Sequence, residues 1–394
     1  MTTEPVKGFK DSKGKEAEKR EEIQKIIRET FEKYGYEPAE TPVIEHEEFV
    51  KGDNQEDEAV SDIFKLKDRG NRKLALRYEF TFQLKRLMEN QKLPYKRYQI
   101  GPIFRDEPAG PNRFRQFLQC DADVVGSTIK DEAEVLALNK EILSKCGITP
   151  RVLINNRKLL NEILDDNEVK EKNKDQVLRE VDKYDKLTEE ELRKNLKKLK
   201  AESVLDSLKK GNSYFKKFES YQEILDLSEY CKAYGFEVKF SSAVVRGLSY
   251  YNGTVFEIEA KGIDKTIVAG GSFMFNNTQC TGISFGVDRI SSVANVETQK
   301  EKYLVVSLNQ DKEAIKIAQD LRKSGKIATL YFGKPSKALA YANSKEISKT
   351  LFVGAEEVKK KKFKLKNMKT GEEKPVTLQQ IKKKNVLFSK KSGK

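Results

Sequence analysis

The sequence predicts an α+β domain with a mixed, mainly antiparallel sheet flanked by helices, a helical insertion, and a C-terminal α/β domain. In two stretches, short strand-like runs are bounded by turn residues, which is typical of antiparallel strands. A lysine- and glutamate-rich helical stretch separates them. Near the C-terminal end, strands and helices alternate, which favours a small parallel sheet. The predicted boundaries are 1–156 and 237–299 for the two parts of the main domain, 157–236 for the insertion, and 300–394 for the last domain.

The first part of the main domain begins with an amphipathic helix over residues 12–34, which Gly35 ends. Residues 38–50 are predicted to be extended, and Pro42 excludes a central strand position for them. The acidic residues 52–62 are predicted to form a loop. Residues 62–90 then read as a strand, a turn at Arg69 to Asn71, a second strand and a helix.

The chain is organised around a predicted hairpin over residues 98–126. Two strands flank a loop rich in proline and glycine, and Arg105 ends the first strand. On the second strand Gln119, Asp121 and Asp123 share one face, because successive side chains alternate. A polar face in an apolar setting requires a partner, either protein or ligand. The simpler alternative is a hairpin with a solvated face and a surface arginine cluster.

A helix over 131–148 and a strand at Val152 to Asn155 complete this part. In the insertion, a capping box at Thr188 to Glu191 and the leucines that follow predict a solvated helix pair. The later stretches with strand signals are 237–245, 251–260, 265–271 and 281–286, the last leading into a helix. In the last domain, strands at 303–308, 327–332 and 350–354 alternate with helices at 311–325 and 334–345.

Composition narrows the function classes. The net charge is +14, and residues 359–394 hold fourteen lysines against two glutamates, a local charge of +12. Such a basic end points to a polyanion such as nucleic acid. There are four widely spaced cysteines and one histidine, His46, so a structural zinc site or a histidine base is not expected. No apolar run approaches a membrane span and the N-terminus has no signal-like segment, so we expect a cytoplasmic protein.

Four segments carry a resemblance to a known family. They are ALRYEFT (75–81), GPIFRDEPAGPNRFRQFLQCDADVVG (101–126), VVRGLSYYNGTVFE (244–257) and GISFGVDRI (282–290). Together they resemble the catalytic core of class II aminoacyl-tRNA synthetases, and the RGL-x-YY segment is similar to the histidine-specific, archaeal-like enzymes. The last domain resembles the anticodon-binding domain that the histidyl, glycyl, prolyl and threonyl enzymes share. The resemblance covers nearly the whole chain except the insertion.

The resemblance implies an ATP-dependent ligase that joins histidine to its tRNA, with Mg²⁺ bridging phosphate oxygens. Two anionic reactants must be held in line, and arginines can do this without a base. The positions that match the family's catalytic arginines are Arg105, Arg246 and Arg289. Glu107 and Arg113 match further ATP contacts, in a loop over 107–114 that should approach the acceptor end of the tRNA. Residues 40–49 resemble the dimer-forming element, so a homodimer is implied.

The resemblance also implies a histidine pocket. Gln119 and Asp123 match the positions that read histidine, and Tyr250 and Tyr251 match a tyrosine pair. The positions matching the contacts around the α-amino group are Glu79, Phe80 and Thr81, and Arg105 and Arg246 also face the amino acid. A pocket that hydrogen-bonds an imidazole rejects isosteres without those groups. The plainer alternatives are that the tyrosines are core aromatics and that Glu79 pairs with Arg77.

Three departures from the family pattern affect this pocket. Ser249 stands where the family has Asp, and GGSFM (270–274) stands where it has GGRYD. These two losses would compensate each other if the missing charged groups were neighbours. Asp288 replaces a glutamate. The other function classes that the sequence leaves open are a regulatory subunit of ATP phosphoribosyltransferase, a synthetase-like tRNA sensor, and a synthetase for another amino acid.

Overall fold

A computed structural model describes residues 2–52, 60, 62–110, 113–184, 187–246, 250–260, 263–297 and 301–383, with the side chains of 263–265 left out. The chain divides into two compact units, residues 1–297 and 298–394. Each unit has its own buried apolar clusters. A domain of about 100 residues with its own core lies within the usual size range.

The described part of the first unit contains a mixed sheet of eight strands in the order β1-β5-β6-β11-β10-β9-β7-β8. The outer pairs β1–β5 and β7–β8 are parallel, and every other neighbouring pair is antiparallel. The predicted mixed, mainly antiparallel sheet is therefore confirmed. The strands are β1 (Glu37–Pro38), β5 (Tyr95–Phe104), β6 (Gln116–Val125), β7 (Pro150–Asn156), β8 (Lys239–Phe240), β9 (Tyr251–Ala260), β10 (Ile263–Phe275) and β11 (Thr278–Gly286).

Helices cover one face of this sheet: α1 (Lys15–Lys33), α4 (Ile129–Lys145) and α11 (Val287–Val293). Ile23, Ile27 and Phe31 of α1 are fully buried at the spacing that the sequence predicted. They share a core with Cys120, Ala122 and Val124, the alternate positions of β6. The opposite face of β6 carries Gln119, Asp121 and Asp123.

A second, three-stranded sheet has the order β2-β4-β3, with β2 (Ile44–His46), β3 (Lys65–Lys67) and β4 (Lys73–Leu76). The turn between β3 and β4 lies at the predicted place. The extended prediction for 38–50 is wrong at its end, because α2 (Glu47–Lys51) is a helix that buries Val50. Most of the predicted acidic loop, 53–59 and 61, lies outside the described residues. Helix α3 (Thr81–Leu87) follows β4 and buries Leu84.

The insertion contains more helices than predicted. Its described residues form six α-helices rather than a solvated pair, and most of their leucines belong to the main core. The capping box at Thr188 and Glu191 is present. The many lysines and glutamates on the surfaces of these helices made the whole segment look solvated. The sequence pattern therefore did not indicate how many of the helices pack against the core. The helices are α5 (Arg157–Asp166), α6 (Lys174–Val181), α7 (Glu189–Lys198), α8 (Glu202–Leu208), α9 (Asn212–Phe215) and α10 (Tyr221–Ala233).

The second unit is built on a sheet with the order β13-β12-β14-β15-β16. Its first three strands are parallel, as predicted, and are separated by helices α12 and α13. Two antiparallel strands, β15 and β16, lie within the lysine-rich end and were not predicted. The elements are β12 (Lys302–Ser307), α12 (Asp311–Lys323), β13 (Ile327–Phe332), α13 (Pro335–Ser344), β14 (Lys349–Val353), α14 (Ala355–Lys360), β15 (Phe363–Asn367), β16 (Glu373–Val376) and α15 (Leu378–Lys382).

Candidate active site

One face of the main sheet carries a row of buried polar side chains. Gln119, Asp121 and Asp123 alternate along β6 and are each only 4% exposed. Because a buried polar group needs a partner, this row indicates either a polar network or a ligand site. The residues paired with these three in register are Gly101, Gln99 and Arg97 on β5 and Gly286, Ser284 and Gly282 on β11.

Arg97 and Asp123 form an ion pair inside this face. Arg97 is fully buried, and its Nη2 lies 2.5 Å from Asp123 Oδ2. The same nitrogen donates to the carbonyl oxygen of Phe80 at 3.3 Å. Burial raises the pKa of Asp123 to about 6, although the charge of Arg97 acts to lower it. Asp123 is therefore mostly ionised near neutral pH, because the buried guanidinium of Arg97 lies beside its carboxylate.

Gln119 is held by its neighbour on the same strand. Its Nε2 donates to Asp121 Oδ1 at 2.8 Å. Burial raises the pKa of Asp121, while Arg97 and hydrogen bonds from Ser284 and Gln119 act to lower it. The amide group of Gln119 is thereby turned with its nitrogen toward Asp121.

Arg105 follows β5 and lies close to the polar row. Its Nε donates to the carbonyl oxygen of Tyr78 at 3.2 Å, and its charge acts to lower the pKa of Asp121. In the loop beyond, Arg113 donates to Glu107 through Nε at 2.7 Å, and Arg105 Nη1 lies 3.9 Å from the same carboxylate. Arg113 remains 62% exposed. The structure thus brings two predicted ATP-site arginines to the carboxylate of a third predicted ATP-site residue, Glu107.

Arg246 and Arg289 are both bonded to a side-chain contact between β9 and β10, that of Glu257 with Thr266. Thr266 Oγ1 donates to Glu257 Oε2 at 2.6 Å, and Arg246 Nη1 donates to Glu257 Oε1 at 3.2 Å. Arg289 Nη1 donates to the carbonyl oxygen of Thr266 at 2.9 Å. In the sheet, Glu257 lies opposite Ala269, Ala269 lies opposite Ser284, and Ser284 lies opposite Asp121. The side chains of Glu257 and Asp121 are therefore on the same face of the sheet, and the two arginines border that face.

Arg246 has an unusual backbone. Its φ is 50°, in the left-handed region that L-residues other than Asn and Asp seldom occupy. Strain of this kind costs on the order of 1–3 kcal/mol and concentrates at functional positions. Gly247, Leu248 and Ser249, which follow it, lie outside the described residues.

The tyrosine pair packs beside Arg246. The rings of Tyr250 and Tyr251 are 4.6 Å apart between centroids, and Tyr250 also packs edge-on against Phe273. Burial raises the pKa of Tyr251, and hydrogen bonds that link it to Tyr250 and Arg246 act to lower it. Burial also raises the pKa of Tyr250, and the charges of Tyr251 and Glu79 add to this effect. The pair is therefore partly a core cluster, as the plainer alternative held, and it is also hydrogen-bonded to Arg246 and influenced by the charge of Glu79.

Glu79, Phe80 and Thr81 form the approach to helix α3. Phe80 is fully buried, and Thr81 is the first residue of the helix. Arg77 stacks on the Phe80 ring at 4.7 Å and donates to the carbonyl oxygens of Thr41 and Pro102. These contacts fix the segment that carries Glu79.

The two described departures from the family pattern have protein partners. Ser272 of the GGSFM segment donates to Glu132, a buried glutamate of α4 on the helix-covered face. The side chain at position 272 therefore faces Glu132. Ser249, the other position at which the family has a charged residue, lies outside the described residues. Asp288 accepts from the Leu118 backbone N–H at 2.8 Å and pairs with Arg20 of α1 at 3.1 Å.

Three residues of this face were not assigned roles from the sequence. Arg97 lies just before the predicted hairpin and was assigned to no element, Asp121 was predicted only as part of the polar face of the second strand, and Glu257 only ends a motif. The strand alternation places Asp121 between Gln119 and Asp123, which was a usable signal. The pairings of Arg97 and Glu257 depend on register between distant strands, which the sequence does not give.

Other chemical features of the described residues are limited. No group of three or more His, Cys, Asp and Glu side chains there could hold a metal ion. The four cysteines are buried free thiols. None of the helices in the described ranges has the length and apolar character to cross a membrane.

Comparison with known proteins gives two family matches. Residues 8–290 match the family described as Histidyl-tRNA synthetase, and residues 298–386 match the Anticodon binding domain. The chain is 32% identical to Histidine--tRNA ligase 1 of Bacillus cereus, over 97% of each chain. It superposes on a histidyl-tRNA synthetase from Nostoc sp. PCC 7120 with a TM-score of 0.85 and 23% identity, covering 97% of this chain and 99% of that one.

A further structure shares the fold. The ATP phosphoribosyltransferase regulatory subunit/histidyl-tRNA synthetase from Bacillus halodurans has a TM-score of 0.75 and 22% identity, covering 89% of this chain and 98% of that one. The expected fold, a main domain followed by an anticodon-binding domain, is confirmed by these matches. The predicted archaeal-like character is not confirmed by them.

Proposed function

This chain belongs to the histidyl-tRNA synthetase family, and we propose that it is a histidine–tRNA ligase that activates L-histidine with ATP and transfers it to its tRNA. The observation that carries the proposal is the shared sheet face. Arg246 and Arg289 border it at Glu257 and Thr266, Arg105 borders it near Asp121, and Asp123 lies within it.

The three arginines suit the activation step. A carboxylate attacks the α-phosphate of ATP, so two anions must approach in line. Guanidinium groups neutralise the charge on both and donate in fixed directions to oxygen atoms. We assign Arg105 to the carboxylate and α-phosphate, Arg246 to charge on the α-phosphate, and Arg289 to the triphosphate and adenine. Each now donates to a protein carbonyl or carboxylate, and those acceptors hold the side chains ready before ATP arrives.

The amino-acid side of the face suits a small polar ring. Asp123 is the acceptor for a ring N–H, and Tyr250 and Tyr251 wall the ring. Gln119, whose nitrogen is turned to Asp121, offers its amide oxygen to the α-ammonium group. Glu79 and Thr81, on the segment that Phe80 anchors, complete the contacts to that group.

ATP would be held further along the face, with Glu107 and Arg113 in the loop after β5. Arg113 is exposed and paired with Glu107, so it can exchange that partner for a phosphate. Mg²⁺ would enter with ATP, held mainly by phosphate oxygens, and would neutralise part of their charge.

The remaining assignments concern partners. The C-terminal unit would read the anticodon, and its lysine-rich end would follow the tRNA phosphates. Ile44 and Leu66 are 49% and 38% exposed and lie with Leu74 and Leu76 on one face of the three-stranded sheet. That apolar face lies in and beside the segment 40–49, which supports a homodimer. The four cysteines are buried free thiols, which supports a protein that functions in the reducing cytoplasm.

The test is amino-acid-dependent exchange of pyrophosphate into ATP. We expect exchange with histidine and not with the other amino acids. Arg246→Ala should lower it by about 10²–10³-fold, since it removes a donor to the developing charge. Arg193→Ala, which removes an exposed ion pair of the insertion, is the control and should have no effect. Exchange with another amino acid, or none at all, as for a regulatory subunit or tRNA sensor, would contradict the proposal.

A further inference from the structure

Arg97 is the most unusual charged residue of the candidate site. It sits in the interior of β5, fully buried, directly opposite Asp123 of β6. Taking a guanidinium out of water costs several kcal/mol unless good partners repay it. Two of its partners are Asp123 and the carbonyl oxygen of Phe80, whereas Nε and Nη1 have no hydrogen-bond partner among the described residues.

The two partners of Arg97 belong to different parts of the amino-acid site. Asp123 is assigned to the substrate ring, and Phe80 lies between the residues assigned to the α-ammonium group. One guanidinium nitrogen therefore ties the ring-reading strand to the segment that contacts the backbone of the substrate.

The two oxygen atoms of the Asp123 carboxylate face different neighbours. Oδ2 faces Arg97, while Oδ1 lies over Gly282 of β11, where a Cβ atom would overlap with it. Glycine at 282 therefore gives this oxygen its space. The titratable and charged groups around Asp123 are Asp121 and Cys120 on its own strand, Arg97 and Tyr95 on β5, Cys280 on β11, and Tyr36 after α1.

We propose that Arg97 is a positioning residue of the amino-acid site, which keeps the Asp123 carboxylate ionised and aimed so that it accepts the ring N–H of the substrate. Arg97 itself does not touch the substrate. The inference rests on the proposed function, because it needs Asp123 to be the group that reads the ring. It also predicts that the site takes the neutral imidazole, since Arg97 already supplies the cation.

The experiment measures the acidic limb of kcat/KM against pH in pyrophosphate exchange. Triazolylalanine serves as substrate, because its ring keeps an N–H and is not protonated in this range, so the limb reports the enzyme. The wild-type limb should lie near the pKa of Asp123, about 6. Arg97→Leu and Arg97→Gln should move it to higher pH by about one unit or more, since a neighbouring opposite charge is lost. Arg97→Lys keeps the charge and should leave it near the wild-type position.

The matched control is Arg151→Leu. Arg151 also pairs with an acidic residue directly across two antiparallel strands, Glu259, but at an exposed position of the same sheet. It should leave the limb unchanged. If the limb also stays unchanged in the neutral Arg97 variants, Arg97 is only structural and the inference is wrong.

A second variant keeps the inference testable if the neutral Arg97 variants do not fold. Asp123→Asn has no carboxyl to titrate, so the acidic limb should disappear from its profile. A limb that persists at the wild-type position would overturn the inference. The proposed function fails separately, and only if the wild-type protein shows no exchange with histidine.

Discussion

At the scale of single residues, the proposed reading of the histidine ring depends on the close packing around the Asp123 carboxylate. Arg97 holds one oxygen and Gly282 makes room for the other. That Asp123 and Gln119 share one face was predicted from strand alternation, because side-chain direction along a strand follows from the backbone, and their role at the histidine site was predicted from the family resemblance. Arg97 was not, because its partner lies across a strand pair whose register the sequence does not state.

Gly282→Ala should damage histidine binding and leave ATP binding nearly intact. The added Cβ would overlap with Asp123 Oδ1 and lie 3.2 Å from the Phe273 ring, so the carboxylate must turn away. We expect KM for histidine in pyrophosphate exchange to rise about tenfold or more, equivalent to roughly 1.4 kcal/mol. Gly211→Ala, where a Cβ meets nothing within 4 Å, is the control. Equal rises in both KM values would argue against Asp123 as the histidine-reading group.

At the scale of elements, periodicity predicted most of what the structure contains. Helix α1, the long hairpin and the alternating elements of the second unit have strong local patterns, so their type was predictable. The number of insertion helices was not, since shared burial is a tertiary property. Strand β15, with the sequence FKLKN, alternates apolar and lysine residues, but the many lysines around it obscure this alternation.

Helix α4 buries Glu132 beneath the sheet, and this should make stability depend on pH. Burial raises the pKa of Glu132, while hydrogen bonds from Ser272 and Thr254 act to lower it. The folded pKa lies above the unfolded one, so this contribution is present below the unfolded pKa and is lost as pH rises through the folded value. Glu132→Gln removes the titration. Its free energy of unfolding relative to wild type should therefore be larger at about pH 8 than at about pH 5, since only the wild type loses this contribution as the pH rises.

Urea unfolding at the two pH values measures this difference. Glu229→Gln, at an exposed position of α10, is the control and should show the same difference from wild type at both. If Glu132→Gln behaves in the same way, Glu132 does not titrate differently in the folded protein.

At the scale of the whole molecule, the chain combines a unit that carries the reaction site with a basic unit suited to nucleic acid. The sequence predicted both and the boundary near residue 300. The homodimer could be predicted only from the family resemblance. In the sequence, the apolar residues of an exposed sheet face cannot be distinguished from apolar residues of the core. The exposure of this face, at Ile44 and Leu66, became visible only in the structure.

Ile44→Asp should weaken the proposed homodimer. A charge placed in an apolar contact loses its hydration without a partner, so we expect the dimer dissociation constant to rise by about a hundredfold. Sedimentation equilibrium measures it. Ile327→Asp, at a 40% exposed strand position of the second unit, is the control and should not change the mass. A wild-type monomer, or a dimer that Ile44→Asp leaves intact, would contradict this assignment.

The most direct test of the central claim is a crystal structure with a non-hydrolysable analogue of histidyl-adenylate. We predict that the phosphate-mimicking group lies within hydrogen-bond distance of Arg105 and Arg246, that Arg289 lies at the adenine side, and that the imidazole N–H donates to Asp123. An analogue bound elsewhere, or an imidazole that does not reach Asp123, would contradict it.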